Sequence, residues 1–211
     1  MSRITAQKAF ERLVQEGLVT RHRGQGSRVA LHPRVPAMSA DMQALLDNVA
    51  VIAAATTGRL VELVEAVPEP PIRAALQLAR GAKAQRSVHL RLRDGVPLGL
   101  IVTWVPLALA IGITAADIEQ TPMITMLEHR GVRPAWAVQT IGATTADARA
   151  ARLLDVTTGA PLVTVQRVVY DRRDRPIEHL YAAYRADRYE YRTVIRREAP
   201  RRRSESALAR G

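Results

Sequence analysis

Apolar residues recur at helical spacing from the start of the chain. Ala6, Ala9, Phe10, Leu13 and Val14 fall at i, i+3, i+4, i+7 and i+8, which is one face of a helix. Ser2 offers an N-cap hydroxyl and Gly17 a left-handed stop. Leu18 and Val19 open a short strand, the residues from Arg21 to Arg28 predict a basic turn, and Val29 returns. Residues 32–40 carry two prolines among small residues and predict a linker. A second helical stripe, Met42, Leu45, Leu46, Val49 and Ile52, predicts a connecting helix within 41–55 that packs on the following domain or on a twin subunit.

From Thr56 the period changes. Gly58 to Val67 alternates as a strand, with Leu60, Glu62 and Val64 expected on one side. Prolines then lead into a helix over Ile72–Arg80. Lys83 to Arg93 alternates through Val88, Leu90 and Leu92, and Asp94-Gly95 is a hairpin signal. The return strand, Val96 to Val105, is apolar on both faces and should be central. Pro106 should begin a loop, Thr114 cap a short helix over 115–119, and Pro122 to Arg130 form a helix stopped by Gly131. Pro134 to Ala143 predicts a strand, and Thr145 a cap for a helix over Ala146–Leu154. Leu162 to Tyr170, Ile177 to Tyr184 and Tyr189 to Ile195 predict further strands. Hairpin-joined strands with inserted helices make an α+β domain on a mainly antiparallel sheet.

Charge refines this division. The chain has 211 residues and a net charge of +11. Residues 1–34 hold seven Lys/Arg against two Glu, and residues 196–211 hold six Arg against two Glu. The body between is almost neutral. A basic end on a near-neutral body suits a nucleic-acid-binding head joined to a domain that binds something else. The expected organisation is a head at 1–33, a linker and connecting helix at 34–55, a main domain at 56–195 and a disordered basic tail at 196–211. There is no cysteine, no metal-ligand spacing among the histidines and no apolar run long enough to span a bilayer. The expectation is a cytoplasmic protein without metal or cofactor.

By composition the head reads either as the second half of a winged helix-turn-helix or as a surface helix with a solvated charged turn. Arg3, Gln7, Lys8, Glu11 and Gln15 share the polar face of the first helix; Arg and Gln can read base edges in the major groove. Gly24 and Gly26 let the hairpin tip approach a sugar–phosphate ridge, where Arg21, Arg23 and Arg28 neutralise phosphates. SRITAQKAFERLVQEGLVTRHRGQGSRV resembles the recognition helix and wing of the GntR family of bacterial transcription regulators. Ser2, Arg3, Thr5, Ala9, Leu13, Glu16, Gly17, Leu18, Gly24 and Gly26 carry the likeness. Gln7 stands where that family often has Arg. The resemblance implies DNA contacts from Ser2, Arg3, Thr5, Gln7, Lys8, Arg21, Arg23, Gly24, Gln25 and Gly26. A winged helix-turn-helix has two helices before its recognition helix, so this head is expected to be partial and to bind operator DNA weakly or not at all.

Residues 56–195 resemble the UTRA domain, the effector-binding module of the HutC subfamily of those regulators. The order carries the likeness: Leu-Arg-Leu-x-Asp-Gly-x-Pro-Leu at 90–98, a Met-Leu-Glu helix, Arg133-Pro134, Thr145-Ala146-Asp147, Gly159-Ala160-Pro161-Leu162, Arg175-Pro176-Ile177-Glu178 and Tyr184-Arg185-Ala186-Asp187-Arg188-Tyr189. It implies a chorismate-lyase-like fold, a homodimer and a small-molecule effector beside the sheet. The matching effector positions are His89, Arg91, Ile101, Thr121, Met123, Glu178 and Tyr184. Arg91 keeps a forked donor for a carboxylate or phosphate. His89 replaces an Arg, Ile101 a Glu and Met123 an aromatic, so a less polar pocket and a small anionic effector with a partly apolar body are expected. The alternative reading of His89 and Arg91 is as ordinary surface residues on a strand. Arg185 to Tyr189 reads as a structural corner, and Trp104 and Trp136 as core or pocket wall.

The function expected is a DNA-binding transcription regulator, a repressor, controlled by the effector. A headless effector-binding modulator and a lyase-type enzyme on the same fold are the alternatives; no nucleophile–base arrangement, metal spacing or phosphate loop favours the enzyme.

Overall fold

The computed structural model describes Gln7 and residues 19–22, 26–29 and 41–192. The chain divides into two compact units, Met1–Leu45 and Leu46–Gly211. In the first, Val19–His22 (β1) and Gly26–Val29 (β2) pair antiparallel, with Val19 opposite Val29 and His22 opposite Gly26. Arg21, His22, Gly26, Ser27 and Arg28 are therefore strand residues rather than turn, because pairing satisfies their backbone groups. Gln7 is helical and exposed. Ser2, Arg3, Thr5, Lys8, Arg23, Gly24 and Gln25 lie outside the described residues, as do 193–195 and the tail.

Met42–Ala54 forms a helix (α1), whose stripe of Met42, Leu45, Leu46, Val49 and Ile52 is half-buried. Thr56 ends it by donating its hydroxyl to the Ile52 carbonyl at 2.6 Å. The strands that follow are Thr57–Ala66 (β3), Ala84–Arg93 (β4), Val96–Pro106 (β5), Pro134–Thr145 (β6), Pro161–Asp171 (β7) and Pro176–Arg185 (β8). They form one antiparallel sheet in the order β3-β4-β5-β8-β7-β6. Asp94 and Gly95 both take positive φ, 53° and 76°, as a two-residue hairpin turn requires. β5 is central, as its double-faced apolar pattern predicts, and it pairs with β8 across the intervening residues 107–175.

Five helices intervene: Pro70–Ala75 (α2), Leu107–Ala110 (α3), Ala115–Gln120 (α4), Met123–His129 (α5) and Ala148–Leu154 (α6). On one sheet face, α6 packs Ala151 and Leu154 against Leu90, Leu162 and Ala183. Beyond α2, Leu76 meets Ala84 and Trp104 near the same face. The opposite face belongs to the segment 107–131. There the Gln85 amide donates to the Ile113 carbonyl, and Leu60 N–H donates to Glu119 Oε1 at 2.8 Å along the free edge of β3.

Several expectations change. The register of β3 shifts between Leu60 and Glu62, so Leu60 lies opposite His89 but Glu62 opposite Val88. The bulge sends Glu62 and Val64 to the face opposite Leu60. Helix α2 stops at Ala75 rather than Arg80, with Gln77 at φ 51°. Pro106 leads into the single turn α3 rather than a loop. Thr145 is the last residue of β6; the cap of α6 is Asp147, whose carboxylate accepts from Ala150 N–H at 2.7 Å. Tyr189–Arg192 is not strand. Trp136 is 41 % exposed rather than core. It stacks on Tyr170 at 3.9 Å and donates to Asp174. The remaining corner is as read: Arg185 pairs with Asp187 at 2.8 Å and donates to the Leu154 and Asp155 carbonyls.

Gly58 shows how tightly α4 seats on β3. A Cβ there would lie 2.3 Å from the Glu119 backbone oxygen. Gly58→Ala should therefore cost about 1–3 kcal/mol by overpacking. Urea unfolding measures it, and an unchanged midpoint would show that α4 does not rest there.

Candidate functional site

β4 alternates between two kinds of burial. Ala84, Val88 and Leu90 lie on the face packed by α6 and α2, whereas Gln85, Ser87, His89 and Arg91 lie on the other face, where Gln85 meets Ile113. The second set is polar and yet buried: exposures are 8 %, 1 %, 6 % and 5 %. Registers extend this face across the sheet. Arg91 lies opposite Gly58 and Gly99, and Gly99 opposite Tyr184. His89 lies opposite Ile101, and Ile101 opposite Ala182. Ser87 lies opposite Thr103, Thr103 opposite Leu180, and Leu180 opposite Arg167. Glu178 is two residues further along β8 on the same face.

His89, Arg91, Ile101, Glu178 and Tyr184 thus share one covered sheet face, and the surface reading of His89 and Arg91 is excluded. Thr121 is the half-buried C-cap of α4, and Met123 is the buried first residue of α5, both on the covering segment. Gly99 was not singled out in the sequence. A Cβ on it would meet the Tyr184 ring at 2.3 Å, so its bare backbone is what admits the ring. Tyr189 stacks on the Tyr184 ring at 4.1 Å. Ser87, Thr103 and Arg167 were also missed.

The electrostatics of this face are unusual for a core. Arg91 is a buried residue whose guanidinium forms no hydrogen bond or ion pair with a described residue, and burial pulls its pKa below the ordinary arginine value. Burial, and secondarily the Arg91 charge, depress His89 to about 3, so it is neutral at pH 7. Burial raises Glu178 against the opposing pull of Arg167, which lies 3.6 Å away. Tyr184 is pushed up to about 12 by burial and remains a phenol. Gln85 Oε1, Ser87 Oγ, His89 Nδ1, Thr103 Oγ1, Arg167 Nε and Glu178 Oε2 have no hydrogen-bond partner among the described residues. Most buried polar atoms in proteins are paired. Six unpaired ones on a single face, beside a buried cation without a carboxylate, form a surface complementary to a polar, anionic small molecule.

His89 gives this face a measurable pH signature. Its folded pKa is far below the unfolded value of 6.5, so the unfolded chain binds the extra proton. Its contribution is complete above pH 6.5 and is lost as pH falls toward 3, by up to about 1.4 kcal/mol per pH unit. Wild type should lose thermal stability between pH 7 and pH 4 more steeply than His89→Gln. Glu178 acts oppositely but is common to both proteins. Parallel pH profiles would contradict a buried neutral imidazole.

Comparison with known proteins identifies the family. Residues 54–190 match the UTRA domain. The chain is 22 % identical to the HTH-type transcriptional repressor NagR of Bacillus subtilis over 193 residues, covering 90 % of this chain and 78 % of NagR. It is 30 % identical to the HTH-type transcriptional repressor PhnF of Mycolicibacterium smegmatis over 115 residues, 54 % of this chain and 47 % of PhnF. The crystal structure of the ligand-binding domain of a GntR-family transcriptional regulator from Bordetella bronchiseptica superposes with a TM-score of 0.62 at 26 % identity, covering 67 % of this chain and 89 % of that one. With most of its length matched by that domain and its relatives named as such regulators, the chain belongs to the UTRA family and is a GntR-type regulator of the HutC kind.

Proposed function

We propose that the chain is an effector-responsive transcription regulator, a repressor, whose UTRA domain holds a small anionic molecule against β4, β5 and β8. The observation that carries this reading is Arg91, a residue 5 % exposed whose guanidinium has no carboxylate beside it. An isolated buried charge is costly, and an anionic ligand offsets that cost with a forked pair of hydrogen bonds. Ile101, Ala182 and Val165 make the neighbouring row apolar, which fits a ligand with an apolar body. Tyr184 supplies a phenol donor and Glu178 and His89 supply acceptors, with Thr121 and Met123 offered as further contacts from the covering segment.

DNA is the second partner, read by Ser2, Arg3, Thr5, Gln7, Lys8 and the Arg21, Arg23, Gly24, Gln25 and Gly26 wing. The proposed unit is a homodimer. β6 favours it: a 12-residue edge strand without a charged residue, exposing Trp136, Val138 and Ile141. The named relatives are regulators rather than enzymes, and the proposed ligand is bound rather than turned over.

A thermal-shift screen of small carboxylates and phosphate esters tests the site. The best ligand should lose at least about tenfold in affinity in Arg91→Ala and in Glu178→Ala, by calorimetry. It should also alter binding of operator DNA without being consumed. Unchanged affinity in both variants would remove the assignment.

A further inference from the structure

Arg91 accounts for only one end of the polar face. Ser87 lies four residues from Arg91 on β4, about 13 Å along the strand. Between them the lining is Leu60, Ile101 and Ala182, with His89 as the single polar interruption. The polar atoms then resume. Ser87 Oγ and Thr103 Oγ1, on paired residues of adjacent strands, are both unpartnered, and each residue is 1 % exposed. Arg167 Nη2 and Glu178 Oε2 form an ion pair at 3.6 Å, too long for a good hydrogen bond, so Oε2 can still accept one and Arg167 Nε can still donate one. Gln85 Oε1 adds another spare acceptor. Gln85 also lines an open groove of about 510 Å³ with Glu65, Leu107, Ala110 and Ile113. The groove is thus at this end of the face, away from Arg91.

We propose that Gln85, Ser87, Thr103, Arg167 and Glu178 form a second subsite, which takes an uncharged donor–acceptor group at the far end of an acid held by Arg91. The charge balance selects the class. Arg167 and Glu178 compensate one another, so a further full charge would be left unopposed in a buried place. A primary amide or ureido group fits instead: its oxygen accepts from Arg167 Nε, and its N–H donates to Glu178 Oε2. The two hydroxyls and Gln85 serve the remaining donor and acceptor positions. The ligand class is an elongated acid with an apolar middle and an amide-like terminus. This inference rests on the assignment of the acid to Arg91.

Two measurements test it. The first needs no ligand. Hydroxyls kept for a ligand gain nothing in the free protein, so Ser87→Ala and Thr103→Val should hold or raise its melting temperature. A clear fall in either variant would make the hydroxyls structural and overturn the subsite. The second compares octanoate with its ω-amide, 8-amino-8-oxooctanoate, by calorimetry. Wild type should prefer the amide by about tenfold or more, and the Ser87→Ala/Thr103→Val double variant should lose that preference. Equal affinities in wild type would also overturn the subsite. If neither acid binds in a manner sensitive to Arg91→Ala, the Arg91 assignment fails instead, and the melting temperatures still decide the subsite.

Discussion

The structure turns on the desolvation of one cation. Arg91 sits on a central strand pair, covered by a helical segment, with no carboxylate to neutralise it. A protein selected for stability alone would place a hydrophobic residue there, since even a paired buried charge rarely gains over apolar packing. Its neighbours follow the same rule. His89 is held neutral, Glu178 keeps a charge that burial opposes only beside Arg167, and unpaired polar atoms continue along the face. Together they describe a core left incomplete on one side of a sheet whose other side is packed with Leu90, Leu154 and Leu162.

Sheet topology makes that asymmetry possible. The β4–β5 hairpin is local, but β8 must reach β5 from far along the chain to complete the face. Two register shifts aim the side chains. The one in β3 separates Leu60 from Glu62. The one between Arg91 and Leu92 sets Gly99 rather than Leu98 opposite Arg91, and that glycine admits the Tyr184 ring. An ordinary residue at 99 would push Tyr184 off the row it shares with Arg91.

Much of this fold was legible in the sequence. Asp94-Gly95, Thr114, Gly131 and the double-faced apolar run of β5 carry local chemistry that fixes a turn, a cap, a stop and a central strand. The bulge after Leu60, the early end of α2 and the Asp147 cap depend on pairing and packing that no short window contains. The site divides in the same way. Arg91, Glu178 and Tyr184 came from family resemblance, whereas Ser87, Thr103 and Arg167 had no signal. Alternation of Gln85, Ser87, His89 and Arg91 with Val88 and Leu90 reads as a strand with one wet face. The long-range docking of residues 107–131, which no short window contains, helps convert that wet face into a buried one.

That docking also supplies a physical route for regulation under the proposed function. Gly58 and Leu60 stand beside Arg91 and His89 on β3 and also against Glu119 of the covering segment. Two residues earlier, Thr56 ties the start of β3 to the last turn of α1 through the Ile52 carbonyl. A ligand that repositions the covering segment must therefore either strain the contact at Gly58 or carry β3 with it. Because the approach at Gly58 is already too close for a methyl group, the second course costs less, and α1 is covalently next in line. On this argument the features that make the face a poor hydrophobic core, a buried cation and a glycine contact, are also those that would make its occupancy felt at α1.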